Sequence, residues 1–239
     1  MTDQDPPRQF EVKKFANVGA SEDFVKEMLD LVDIVNATMI FGDQRNELSG
    51  RIGSLVTEGL IPAFMKLREI RASVGQDVPV LDHLQMYEDF AGKLWKSYKE
   101  MMQRTAKVMG FDVGFLFQKD KGFEDGLKVF REKNPAAAPV FEEYLRNVRR
   151  LWHTDLANFR NTIIEHPDGD RSQFGNFYEP QFAEALFAAV WQTIEEILGM
   201  LLELRLPTGV YLVWQDRNDP GPRRTQRFRF EMGTPPPTS

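Results

Sequence analysis

Residues 152–170 read WHTDLANFRNTIIEHPDGD. Leu156, Phe159, Ile163 and Ile164 recur at helical spacing, which predicts a helix with one face packed and its polar groups carried past the core. His153 and His166, two of the chain's three histidines, lie in this stretch, and an Arg160–Asn161 pair precedes His166. Pro167, Asp168 and Gly169 then predict the end of the helix. A guanidinium is permanently charged and grips a phosphate through paired hydrogen bonds. An imidazole takes or gives a proton near neutrality. The two groups suit RNA cleavage by its own 2′-hydroxyl, the arginine stabilising the crowded phosphorane and the histidine handling the proton, with no metal required.

On a continuous ideal helix Arg160 and His166 stand about 120° apart and do not face one target. Pro167 disfavours helical geometry at His166, so the histidine can leave the regular path. Two such corners facing each other across a dimer also compose one site.

Outward from this stretch the pattern predicts an all-α bundle of about five long helices followed by a small β-hairpin. Ser21 with Glu22 and Asp23 starts a helix that stops near Gly42. A second region runs from Asn46 to Gly75 and bends at Pro62. A third helix runs from about Val80 to Met109, ended by Gly110. Val113–Phe117 fits a strand or a helical turn, Phe123–Lys133 a short helix, and NPAAAP an interruption. Pro139 opens the helix that reaches Glu165, and after a loop through Asn176 Pro180 opens the last helix, to Leu206. VYLVW and RFRF are β-prone runs around a turn-rich QDRNDPGPRR, which predicts the hairpin. The expected divisions are an N-terminal arm over 1–18, a helical domain over 19–206, the hairpin over 207–232 and a disordered tail over 233–239.

Composition narrows the chemistry. With 42% hydrophobic residues and 19 Phe among 239, the chain can bury a large core. It has no cysteine, so disulfides, thiolate metal sites and cysteine nucleophiles are excluded. The segment MTDQDPPRQFEVKK has no apolar signal-peptide core, and no run of roughly 18 apolar residues predicts a membrane span. A soluble, cytoplasmic protein without a membrane partner is expected. A net charge of −6 is not that of a dedicated duplex-DNA binder, although Arg146, Arg149, Arg150 and Arg160 form one basic cluster and Arg217, Arg223, Arg224, Arg227 and Arg229 another. Such clusters also serve as solvated faces. Arg149, Arg150, Arg223, Arg224 and Arg227 are the candidate RNA-backbone contacts.

Nucleotide-loop, nucleophile-elbow and HExxH motifs are absent. His83 reads as a partly buried structural histidine beside Tyr87 rather than a metal ligand, and His153 and Asp155 do not share a helix face. No metal or other cofactor is expected. Trp152, Phe159, Phe174, Phe177 and Tyr178 flank the corner; they suit base stacking, but helix packing is the commoner use of such rings.

FRNTIIEH, with its upstream tryptophan-bearing helix and a following helix, resembles the HEPN superfamily of helical domains. The hallmark of that superfamily is an arginine and a histidine separated by four to six residues, and Arg160, Asn161 and His166 match it. The resemblance spans about Ser21 to Leu206, whereas its motif covers only the corner. It implies a metal-independent endoribonuclease of toxin–antitoxin or defence type, acting as a homodimer on RNA, with an antitoxin or other protein as a further partner. Arg160 would then contact the scissile phosphate, His166 would act as general acid–base, and Asn161 would orient the site. The alternative is a non-catalytic helical module that binds RNA, a nucleotide or a protein.

Overall fold

Among the described residues, apolar side chains at helical spacing build five rods, and glycine or proline marks most of their ends. In the computed structural model, residues 9–10, 16–17, 44–137, 139–166, 168–206, 208–214, 224–225 and 228–233 are described. The expected helix at 21–42, Pro167, Arg223, Arg227 and the end of the tail lie outside them. The described residues are mostly helical, so the all-α class holds.

Helix α1 covers Arg45–Ser54, Leu55–Leu60 and Ile61–Ser73 without a break. Its middle segment is a π-helix, in which the Ile61 N–H bonds the Val56 carbonyl five residues back. That wider turn comes just before Pro62, where a regular turn would crowd the ring against the preceding carbonyls. A local change of helix type thus accommodates Pro62.

Helix α2 covers Val80–Lys96, a π segment at Ser97–Met101, and Met102–Val108. Gly110, at φ 84°, ends it. Gly110 N–H bonds the Lys107 carbonyl and Phe111 N–H bonds the Ala106 carbonyl, the paired bonds of a Schellman stop. Gly114–Phe117 is a 3-10 turn, which decides between the strand and the helical turn.

Helix α3, Asp120–Lys133, starts earlier than the apolar pattern indicated. A Cβ at Gly126 would lie 2.1 Å from the Phe115 Cβ, so that glycine lets α3 close on the 3-10 turn. Helix α4 starts at Pro139 and runs through Val148, a π segment at Arg149–His153, Thr154–Phe159 and a second π segment at Arg160–Ile164. The expected loop after it is largely a 3-10 segment, Arg171–Tyr178. Helix α5, Pro180–Glu203, begins at the proline as expected. By length and composition α5 alone among the described helices could cross a membrane, yet 78% of its apolar window is buried inside the fold, as in a core helix.

The core joins these rods through Leu48, Leu60, Leu94, Leu156, Phe187 and Ile197, all fully buried. Beyond α5, strand β3 (Val210–Trp214) pairs antiparallel with β5 (Phe228–Met232), from Val210 opposite Met232 to Trp214 opposite Phe228. The expected arm contributes as well. Strand β1 (Gln9–Phe10) pairs with the other edge of β5, and β2 (Ala16–Asn17) pairs with β4 (Arg224–Thr225). At Gln9–Phe10 the N-terminal segment extends the sheet, because β5 would otherwise leave one edge of backbone donors and acceptors unpaired, while β2 and β4 form a separate two-stranded sheet.

Helices α1 and α2 meet closely at Gly59 in the π turn of α1, where a Cβ would lie 2.6 Å from Ser97 Oγ in the π turn of α2. Gly59→Ala is expected to cost roughly 1–3 kcal/mol by overpacking. Gly50 is exposed in the same rod with nothing within 4 Å of a Cβ. Gly50→Ala should therefore stabilise by about 0.5–1 kcal/mol. Urea unfolding of the two variants should give shifts of opposite sign.

Candidate functional site

Arg160 begins the last π segment of α4, and the Glu165 N–H bonds its carbonyl at 3.0 Å. In a regular α-helix residue i+5 stands about 140° from residue i. The π turn stacks the two instead. Arg160 and Glu165 consequently form an ion pair, while Arg160 Nη1 donates to Asn161 Oδ1 at 3.0 Å. The arginine and glutamate side chains are 29% and 44% exposed, so this is a surface pair of about 0–1 kcal/mol.

His166 follows directly, outside the helix and exposed. No hydrogen bond or ion pair joins its ring to another described residue, and its carbonyl accepts from Gly169 N–H at 2.8 Å. The chain then doubles back so closely that a Cβ at Gly169 would lie 2.0 Å from the Thr162 carbonyl oxygen. Glycine is required there by space. The structure thus gathers Arg160, Asn161 and Glu165 and sets His166 at the next position, facing solvent.

Both sides of the corner are tied to α2. Before it, Ile164 packs against Gly92. After it, Arg171 Nε donates to Glu88 Oε1 at 2.8 Å, and Tyr178 Oη donates to the same oxygen at 3.0 Å. Glu88 and Gly92 are one helical turn apart, so the corner straddles a single turn of α2. Asp170 accepts from the N–H and hydroxyl of Ser172 at 2.9 and 2.6 Å, and these bonds hold its carboxyl below the usual range. Phe159 stacks on Phe177 at 4.3 Å and meets Phe174 edge-on at 5.4 Å. Phe159, Phe177 and Trp152 are buried, which makes them packing rings; Phe174 and Tyr178 are half-buried.

The basic residues upstream differ in availability. Arg149 donates to the carbonyls of Leu116 and Gln118 at 3.2 and 3.0 Å and pairs with Asp120 at 2.9 Å. Its guanidinium also lies over Phe123, 4.4 Å from the ring centroid. It is a clamp between α4 and the start of α3, with both terminal nitrogens engaged within the chain. Arg146 is held by Glu124 and Glu142. Arg150 is exposed and, among the described residues, donates only to Asn147. Of the other RNA-backbone candidates, Arg224 is described through its backbone alone, and Arg223 and Arg227 lie outside the described residues.

His153 is buried and ringed by Trp95, Tyr98, Phe117 and Trp152, with ring centroids 5.4 to 5.9 Å away. Neither imidazole nitrogen has a hydrogen-bond partner. Burial, assisted by the Arg149 charge, pushes its pKa down to about 4. His83 is half-buried against Tyr87, at 5.0 Å. Among the described residues no cluster of acidic or histidine side chains has the makings of a metal site.

Comparisons with protein-family models, with curated proteins and with solved structures find no match. Sequence reasoning missed the Glu88–Arg171–Tyr178 bridge, whose members come from distant segments and share no local spacing. Nothing in the sequence announced the π turn that sets Glu165 beside Arg160.

The buried neutral state of His153 gives a signed pH dependence. Its folded pKa, about 4, lies below the ordinary value of 6.5, so the unfolded chain binds the proton more strongly. Its contribution is complete above pH 6.5 and is lost as pH falls toward 4, by roughly 3 kcal/mol in all. His153→Phe should flatten the stability profile between about pH 6.5 and 5, before most carboxylates titrate. Chemical unfolding of both proteins across that window measures the difference.

Proposed function

We propose that the chain is a metal-independent endoribonuclease of HEPN type, acting as a homodimer, with Arg160, Asn161 and His166 as its working residues. One observation carries this reading. The end of α4 presents an arginine oriented by Asn161 and Glu165, followed at once by an exposed histidine whose ring is bonded to no other described residue. π turns are rare and recur at functional sites, which adds weight to their use here.

In the proposed reaction a scissile phosphate takes the Arg160 guanidinium from Glu165 through charge-assisted hydrogen bonds. His166 removes the 2′-hydroxyl proton. The 2′-oxygen attacks phosphorus, the bond to the 5′-oxygen breaks, and the His166 of the second copy protonates that leaving oxygen. The products are a 2′,3′-cyclic phosphate and a 5′-hydroxyl end. Arg150, with Arg223, Arg224 and Arg227, would follow the RNA backbone, whereas Arg149 is left to the fold. Such an enzyme would serve as a toxin or defence effector in the cytoplasm, restrained by an antitoxin or comparable protein.

Cleavage of single-stranded RNA in EDTA is the direct test. His166→Ala should lower the rate by roughly 10²–10⁴-fold. Arg160→Ala should lower it by about 10²–10³-fold with the melting temperature retained. Undiminished cleavage in both variants would remove the corner from the mechanism. Glu165→Gln releases the guanidinium from its internal acid, so RNA binding should tighten and its salt dependence steepen.

The non-catalytic reading is favoured by one feature, the Arg160–Glu165 pair, which satisfies the arginine without substrate. It predicts salt-dependent RNA binding that survives His166→Ala, weakens when Arg223, Arg224 and Arg227 are replaced, and is never accompanied by cleavage.

A further inference from the structure

The ends of α2 and α5 and one face of α3 enclose a cleft of about 590 Å³ that the ribonuclease proposal does not use. Phe111, Phe115 and Phe130 form its apolar wall, with ring centroids 5.7 to 6.0 Å apart along the Phe111–Phe130–Phe115 series. Its size falls within the range of small-molecule sites, about 300–1,000 Å³.

Arg205 is fixed in this cleft in three ways. Its Nε donates to the Met109 carbonyl at 2.9 Å, and its guanidinium lies 4.9 Å from the centroid of the Phe111 ring. Gly110 leaves it room, since a Cβ there would lie 2.0 Å from Nη2. An arginine so immobilised has already lost much of its side-chain freedom, and the terminal nitrogens keep the fork that matches a carboxylate. Yet among the described residues no carboxylate pairs with it. The charges across the cleft are likewise unpaired. Asp125 and Lys133 of α3 both line it, both are exposed, and neither forms an ion pair with a described residue. Asp112, the remaining acid, already accepts from Gly114 N–H at 2.9 Å.

An apolar wall bearing a fixed cation and a separate free carboxylate matches a molecule of the same pattern. We propose that the cleft binds a small zwitterion with an apolar side chain, an amino acid or dipeptide. Its carboxylate sits on Arg205, its ammonium is drawn to Asp125, and its side chain lies against Phe115 and Phe130.

Calorimetric titration of the full chain decides the matter with four probes: phenylalanine, glycyl-phenylalanine, 3-phenylpropionate and phenethylamine. Phenylalanine or glycyl-phenylalanine should bind saturably, at least about tenfold tighter than the two singly charged analogues. The tighter of the two identifies the ligand as an amino acid or a dipeptide. Asp125→Asn, at an exposed position, should reduce the zwitterion to the affinity of 3-phenylpropionate and leave the latter unchanged. Arg205→Ala should weaken both. Three results would each overturn the proposal: equal binding of 3-phenylpropionate and the zwitterions, no effect of Asp125→Asn, or no saturation by either zwitterion up to about 10 mM.

Discussion

Gly59 and Ser97 bring the backbones of α1 and α2 together more closely than a larger residue at 59 would permit. Both residues lie in π turns, so an extra residue in each rod turns the following apolar stripe toward its neighbour. Ser97 faces α1. The next residue, Tyr98, meets Trp152 and His153 of α4 at 5.0 and 5.7 Å. One π turn of α2 therefore registers two helices at once. The cost is visible in Ser97 Oγ, Trp95 Nε1 and the His153 nitrogens, all buried without a hydrogen-bond partner. Each such group costs about 1–3 kcal/mol. The fully buried Leu55, Val56, Leu60 and Leu94 around them offset this through apolar burial.

Helix ends were legible because their causes are local. Gly110, Pro139 and Pro180 act through their own backbone geometry, and each stands where the pattern placed it. The π turns were not legible. A single inserted residue alters hydrogen-bond register without altering composition, and the apolar spacing through Val148, Trp152 and Leu156 still passes for an ordinary helix. The pairings of β1 and β2 were not legible for another reason. Two-residue pairings leave almost no pattern to read, and they are made by backbone groups that every sequence carries.

The arginines divide the molecule more sharply than the net charge does. Arg146 and Arg149 lie within four residues of Arg150, and a linear view merges all of them into one basic patch. In the fold Arg149 anchors α4 to the 3-10 turn and to α3, and its charge helps keep His153 neutral. Its loss would expose carbonyls and release a contact over Phe123, so an effect of Arg149 on any activity would be an effect on packing. This distinction depends on partners some thirty positions upstream along the chain, and no local motif encodes it.

At the corner the decisive comparison is between Glu165 and a phosphate. An exposed carboxylate pair contributes about 0–1 kcal/mol, whereas hydrogen bonds to a charged group contribute about 1.5–3 kcal/mol. A surface pair of this size orients Arg160 without locking it, and on the proposed reading a phosphate that engages both terminal nitrogens would displace Glu165. The orientation comes from the π turn, because with regular α geometry Glu165 would stand on another side of the helix and the guanidinium would lose this hold. The same turn ends the helix one residue before His166 leaves it, and Gly169 lets the chain fold back against Thr162. A shift of helix register therefore fixes the cation and frees the imidazole together, which a regular helical end could not do with the same residues.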